Sequence, residues 1–194
     1  MPTAKNTIKE INRCGWCSND PLYQDYHDNE WGVPIKDDQQ LFEMLCLEGA
    51  QAGLSWITVL KKRERYRQVF HGFDIEKMAA MSDQELERLL KDPGIIRNKL
   101  KVFGFRKNAR AYLEHFSEQQ SFVDFIWSFV DHQPLSNQPK TLSEVPATTE
   151  ISDKLSKALK KKGFTFVGST ICYAFMQAAG LVDDHTRDCF RSNK

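Results

Sequence analysis

Nearly every stretch of this chain with a regular apolar pattern repeats at three- to four-residue intervals, and no run of alternating β-formers stands out. The predicted fold class is therefore all-α. Leu41, Leu45, Glu48 and Ala52 share one stripe, with Met44 and Leu47 beside it, in a helix opened by Asp37 and Asp38. Gly49 and Gly53 predict an early end to that helix and a close approach of backbone. Ser55 is the N-cap expected of a second helix, Trp56 to about Phe70. Ser82 and Glu85 form a capping box for a helix through Leu86, Leu89 and Leu90, which stops at Asp92-Pro93-Gly94. Another runs from near Asn98 through Val102, Phe105, Ala109 and Leu113. Helices at roughly 122–131 and 152–162 flank a Pro- and Ser/Thr-containing linker, Gln133 to Glu150. The last, about Ser169 to Ala179, is apolar almost all round and hence buried, with Gly180 as its C-cap. Residues 14–34, dense in aromatics, Gly, Pro and Asn, are predicted to form an ordered loop with short turns. Residues 1–12 read as a loosely held tail.

Within that pattern Glu48 is out of place. It sits mid-stripe on a face that a helix turns to its core, where a carboxylate is costly unless paired or put to use. The pattern allows two readings, a structural one in which Glu48 caps a helix or pairs with a buried arginine, and a functional acid. Composition leaves both open. At 41% hydrophobic and 27% charged residues over 194 positions, the chain suits one or two globular domains. No apolar run is long enough for a membrane span, and the opening residues are not signal-like. Five cysteines, an odd and scattered set, predict a reducing, cytoplasmic setting rather than a disulfide framework.

A net charge of +1 hides a segregated distribution. Basic residues gather at 61–67, 97–110 and 157–162, and acids at 25–43 and 74–92. Such clusters can face a phosphate backbone, although most charge runs are solvated helix faces. The helix–hairpin–helix between Ser82 and Leu113 could aim backbone N–H groups at a phosphate, or could simply join packed helices. Cys14 and His27 lie near one end of the chain, and His185 and Cys189, spaced by one helical turn, near the other. A Cys₂His₂ set suits tetrahedral zinc, and four protein ligands would leave no open position, so such a metal would be structural. Cys17, Cys46 and Cys172 read as small core fillers.

At these residues the sequence resembles the 3-methyladenine DNA glycosylase I family of bacterial base-excision repair. The resemblance covers residues 13–189. It rests on RCGW at 13–16, YHDNEWG at 26–32, LFEMLCLEGAQAGLSWITVLKKRE at 41–64, FVDFIWSFV at 122–130 and SKALKKKGFTFVGSTICYAFMQAAGLVDDH at 156–185. It implies a helix–hairpin–helix glycosylase fold with one structural zinc tying the chain ends together, on Cys14, His27, His185 and Cys189. It implies a single domain over 13–194, its helical part about 37–132 and its zinc-anchored part from about 13–36 and 133–190. The family's base-reading, catalytic carboxylate falls on Glu48, its stacking indoles on Trp16 and Trp56, its pocket hydroxyls on Tyr23 and Tyr26, and its DNA-wedging turn on Gly53 and Leu54. The superfamily's usual aspartate has no assigned counterpart, since Asp124 reads equally well as a helix start.

The implied activity is flipping and hydrolytic excision of N3-methyladenine from alkylated double-stranded DNA by a monomeric enzyme, releasing the free base and leaving an abasic site. The competing reading from another class is a non-catalytic helix–hairpin–helix module that binds damaged DNA. A zinc hydrolase would need an open metal position, which a four-ligand set denies.

Overall fold

The computed structural model describes residues 11–117 and 119–192. Ten α-helices are found among them: α1 (Pro21–Asn29), α2 (Asp38–Gln51), α3 (Trp56–Leu60), α4 (Arg63–Val69), α5 (Ile75–Ala80), α6 (Asp83–Leu89), α7 (Lys99–His115), α8 (Phe122–Trp127), α9 (Glu150–Lys161) and α10 (Ser169–Ala178). The first ten residues of the predicted tail lie outside the described residues. Asn12, at its end, is held, because its side-chain amide donates to the backbone and carboxylate of Asp188.

Helix α2 is the centre. Its residues from Leu41 to Ala50 are buried except Glu43, and it packs against α3, α7, α8 and α10. Neighbours on all sides explain why apolar residues fill more of it than one stripe. Its first turn is tied to two of those neighbours through Asp38, whose carboxylate accepts from Tyr112 Oη (2.7 Å), Ser121 Oγ (3.0 Å) and the backbone N–H groups of Phe122 and Val123. Burial pushes the Asp38 carboxyl up, but those hydrogen bonds outweigh it and hold the group below its usual range.

Four expectations need correction. Residues 14–34 are not all loop: Asp20 caps and Pro21 opens α1, an N-terminal signal that local composition masked. The Trp56–Phe70 helix is two helices, α3 and α4, and the Ser55 side chain bonds Thr58 Oγ1 instead of capping a backbone N–H. Gly49 does not end α2, which runs two residues further. Its role is close approach, since a Cβ there would lie 3.0 Å from Phe166 Cβ. Finally, the 133–150 linker carries β1 (Leu135–Ser136), which pairs in parallel with β2 (Val182–Asp183) and so brings the chain's last segment alongside. Helix α5 escaped the sequence reading because it is barely longer than one turn. The capping box at Ser82, the stop at Asp92–Gly94, the Asn98 cap of α7 and the left-handed Gly180 after α10 occur as expected.

Candidate active site and metal centre

The two ends of the chain meet beside α2. Cys14, His27 and Cys189 are buried, and their ligand atoms all lie within 4.8 Å of one another. Cys189 Sγ is 3.5 Å from His27 Nε2. His185, the fourth expected ligand, stands outside that set; its ring centroid is 5.4 Å from that of His27. Its Nε2 is nevertheless buried with no hydrogen-bond partner among the described residues, an orphan that a metal would satisfy. Both imidazoles are oriented alike. His27 Nδ1 lies 2.8 Å from Asp28 Oδ1, and His185 Nδ1 lies 2.8 Å from Asp183 Oδ1. A carboxylate on Nδ1 directs Nε2 toward a metal and raises its basicity. Arg13 in turn clamps Asp28 through Nε and Nη2. Burial lowers the pKa of His27, which favours the neutral ring that a metal needs. Burial also pushes the Cys14 thiol up to about 12, so a thiolate there requires a cation beside it.

Next to this cluster, and sharing Cys14 with it, is a cavity of about 210 Å³. Trp16, Tyr23, Tyr26, Glu48 and Trp56, the expected base-binding residues, all line it. Trp16, two residues from Cys14, packs on Tyr23 and Trp31 with centroids 5.1 and 4.9 Å away. Trp31 packs in turn on the His185 ring at 4.6 Å. The metal cluster and the aromatic wall are thus one packed unit. Tyr26 and Trp56 form the other side, centroids 5.3 Å apart.

Glu48 lines this cavity from the last turn of α2. Its Oε2 is buried without a hydrogen-bond partner among the described residues, and burial alone raises its carboxyl to about 8. The structural reading required a capped helix or a buried arginine, and Oε2 has neither. The Trp56 Nε1–H is likewise buried and unsatisfied. A carboxylate and an indole N–H left without partners in one cavity make a site that a planar, hydrogen-bonding, electron-poor molecule would complete. Among the described residues the wall contains Glu48 and Asp184 but no lysine, arginine or histidine. Asp184 was not singled out in the sequence, since nothing local marks it. Tyr173 and Gln177 of α10, and Asn137, 47 positions away, converge on its carboxylate. Asp124 is exposed at the start of α8 and does not line the cavity, so it belongs to the helix start.

Gly53 and Leu54 lie just beyond the end of α2. Gly53 has φ +78° with open space around it, and Leu54 is 42% exposed. Leu54 is therefore not core. The first basic cluster is largely committed to ion pairs: Lys61 with Asp20, Arg63 with Glu30, Arg65 with Asp92, and Arg67 with Glu43 and Glu64. Of the second, Arg106 and Arg110 hold the backbone around α5, and Lys101 is buried.

Comparison with known proteins agrees with this geometry. The sequence profile of methyladenine glycosylases matches residues 16–192. The chain is 63% identical to DNA-3-methyladenine glycosylase 1 of Escherichia coli K12, over 92% of this chain and 96% of that one. It superposes with TM-score 0.92 on a crystal structure of a 3-methyladenine DNA glycosylase I, 58% identical, over 94% of this chain and all of that one. A variant of a 3-methyladenine DNA glycosylase I, solved in complex with 3-methyladenine, superposes with TM-score 0.90 at 38% identity, over 95% and 99% of the two chains. With an aromatic cavity around an unpartnered carboxylate and matches that span nearly its whole length, the chain belongs to the methyladenine glycosylase family.

Proposed function

We propose that this protein excises N3-methyladenine from alkylated double-stranded DNA by hydrolysis, acting as a monomer in the bacterial cytoplasm, and releases the free base from an abasic site. The observation that carries the reading is Glu48, a buried carboxyl with an unpartnered oxygen in an aromatic cavity of a family named for methyladenine. The relative solved with 3-methyladenine supports the same ligand. Five cysteines, all free, fit a reducing compartment.

Adenine methylated at N3 in DNA is cationic and already a good leaving group, so the site need not supply a strong acid. It must take the base out of the stack, which costs a few kcal/mol and less for a damaged base. Leu54, beside Gly53 in its left-handed turn, fills part of the gap. Trp16 and Trp56 offer indole faces to the cation, worth about 2 kcal/mol or more once desolvated. Glu48 accepts from the amino edge of the ring, and its charge is favoured when the cation arrives. Tyr23 and Tyr26 complete the wall. With no lysine in the cavity wall to form a Schiff base, water is the acceptor and the strand is left uncut.

Residues 13–194 act on this reading as one domain, with 13–36 and 133–190 anchored by a structural zinc on Cys14, His27, His185 and Cys189. The three clustered ligand atoms, the orphaned Nε2 of His185 and the two oriented imidazoles fit that ion. Zinc there supplies a closed structural crosslink. The deciding experiment is release of free 3-methyladenine from methylated duplex DNA, with undamaged duplex as control. Tight binding to damaged DNA without release would establish the non-catalytic alternative instead.

A further inference from the structure

Lys101 is a lysine where lysines are seldom found. Only 7% of its surface is exposed, and burial lowers its pKa with no acidic side chain to compensate. Its ammonium is instead satisfied by backbone, donating to Ala50 O at 2.8 Å and Ala52 O at 2.7 Å. Those carbonyls close α2, where the last C=O groups lack amide partners and the helix dipole is negative. The next two residues are Gly53 and Leu54. Leu54 N–H donates to Gln51 O at 2.6 Å, so the turn that presents its side chain starts at the carbonyl between the two that Lys101 grips.

The other end of Lys101 is fixed as well. It lies in the first turn of α7, where its backbone N–H donates to the Asn98 cap. The turn before α7 is itself pinned to α4. Ile96 N–H donates to Tyr66 Oη at 3.0 Å, and Lys62 Nζ donates to Pro93 O at 2.6 Å. A glycine with positive φ already ends α2 at little cost, so termination alone does not call for a buried ammonium. The side chain does what the glycine cannot. It joins the first turn of α7 to the end of α2 and the turn that follows it.

We infer that Lys101 is a positioning residue that braces the Gly53–Leu54 turn against the load of insertion into the base stack, linking the first turn of α7 to the wedge. This rests on the wedge reading of Leu54 given above. Base recognition in the cavity should not depend on it, whereas engagement of DNA should.

The test uses the full chain with Lys101→Met, Leu54→Ala and the double variant. Binding is measured to duplex DNA carrying an abasic-site analogue and, separately, to free 3-methyladenine. Lys101→Met is expected to weaken duplex binding about ten- to a hundredfold, the scale of a roughly 1 Å misplacement. Free-base affinity should stay within about twofold, and the double variant should bind duplex no worse than Leu54→Ala, within about twofold. If the methionine variant does not fold, Lys101→Gln, which keeps a donor but loses charge and reach, is held to the same three outcomes. Wild-type duplex affinity, a parallel loss of free-base affinity, or additive losses in the double variant would overturn the assignment. Unchanged duplex binding by Leu54→Ala would defeat the wedge reading itself, whatever Lys101 does.

Discussion

The site turns on one carboxyl whose affinity for its proton rises on folding. Burial moves Glu48 from an ordinary value of 4.5 to about 8. Below pH 4.5 the folded and unfolded states both hold the proton, and no penalty exists. From there to about 8 folding must take up a proton that the unfolded chain has released, so stability falls as pH rises, and above about 8 the full penalty applies. Glu48→Gln should abolish that dependence and gain on the order of a few kcal/mol over wild type between pH 5 and 8. Denaturant melts at several pH values measure it, and parallel pH slopes for the two proteins would refute it. The same variant should lose about 1.5–3 kcal/mol of affinity for free 3-methyladenine if one charge-assisted hydrogen bond is removed. Leu54 makes the converse case. Being 42% exposed, its replacement by Ala should change stability by no more than about 0.5 kcal/mol, against about 2–5 kcal/mol for a buried leucine, while weakening binding to abasic-site duplex.

At the scale of elements, α2 carries Glu48 and must therefore be held without play. Gly49 lets Phe166 lie directly against it. An added Cβ would meet Phe166 Cβ at 3.0 Å and its backbone O at 3.3 Å. Phe166 cannot readily yield, because it adopts φ +57° and follows Thr165, whose backbone N–H and C=O are both bonded to Asn108 on α7. In an exposed helix Gly→Ala gains about 1 kcal/mol. Here overpacking should reverse the sign, and Gly49→Ala is expected to destabilise by about 1–3 kcal/mol. A melting temperature at or above wild type would show that the 163–168 loop gives way freely.

At the scale of the whole molecule, the N-terminal segment is stitched to the C-terminal one. Phe190 N–H donates to Asn12 O at 2.9 Å, Asn12 bonds Asp188, and Ile35 N–H donates to Ala179 O. The Asn12 contacts adjoin the Cys14–His27–Cys189 cluster, so a metal there would lock a closure that the backbone has already made. Metal analysis of purified protein should find about one zinc per chain. Cys189→Ser, or removal of the ion by a chelator, should lower the melting temperature more than it alters turnover by the remaining folded protein. Folded, active protein without zinc would rule the ion out.

Most of the helices were legible locally, because caps and breakers act over three or four residues. Asp37, the Ser82–Glu85 box, Asp92-Pro93-Gly94, Asn98 and Gly180 mark ends wherever they occur. Helix α1 was masked because aromatic and polar density in its segment outweighed the Asp20-Pro21 start, and α5 because a six-residue helix has too little period to read. Glu48 could be flagged by its apolar stripe, and the long family motifs supplied roles for it, for Trp16, Trp56, Tyr23 and Tyr26, and for the four expected metal ligands. What no local pattern could supply is convergence. Asp184 enters the cavity wall, Lys101 reaches the last carbonyls of α2, and Phe166 packs on Gly49 through partners dozens of positions away. The absence of a partner for Glu48 Oε2 is likewise a tertiary fact. A sequence shows which residue types sit at which helical phase; whether a buried charge is paired depends on every element that folds against it.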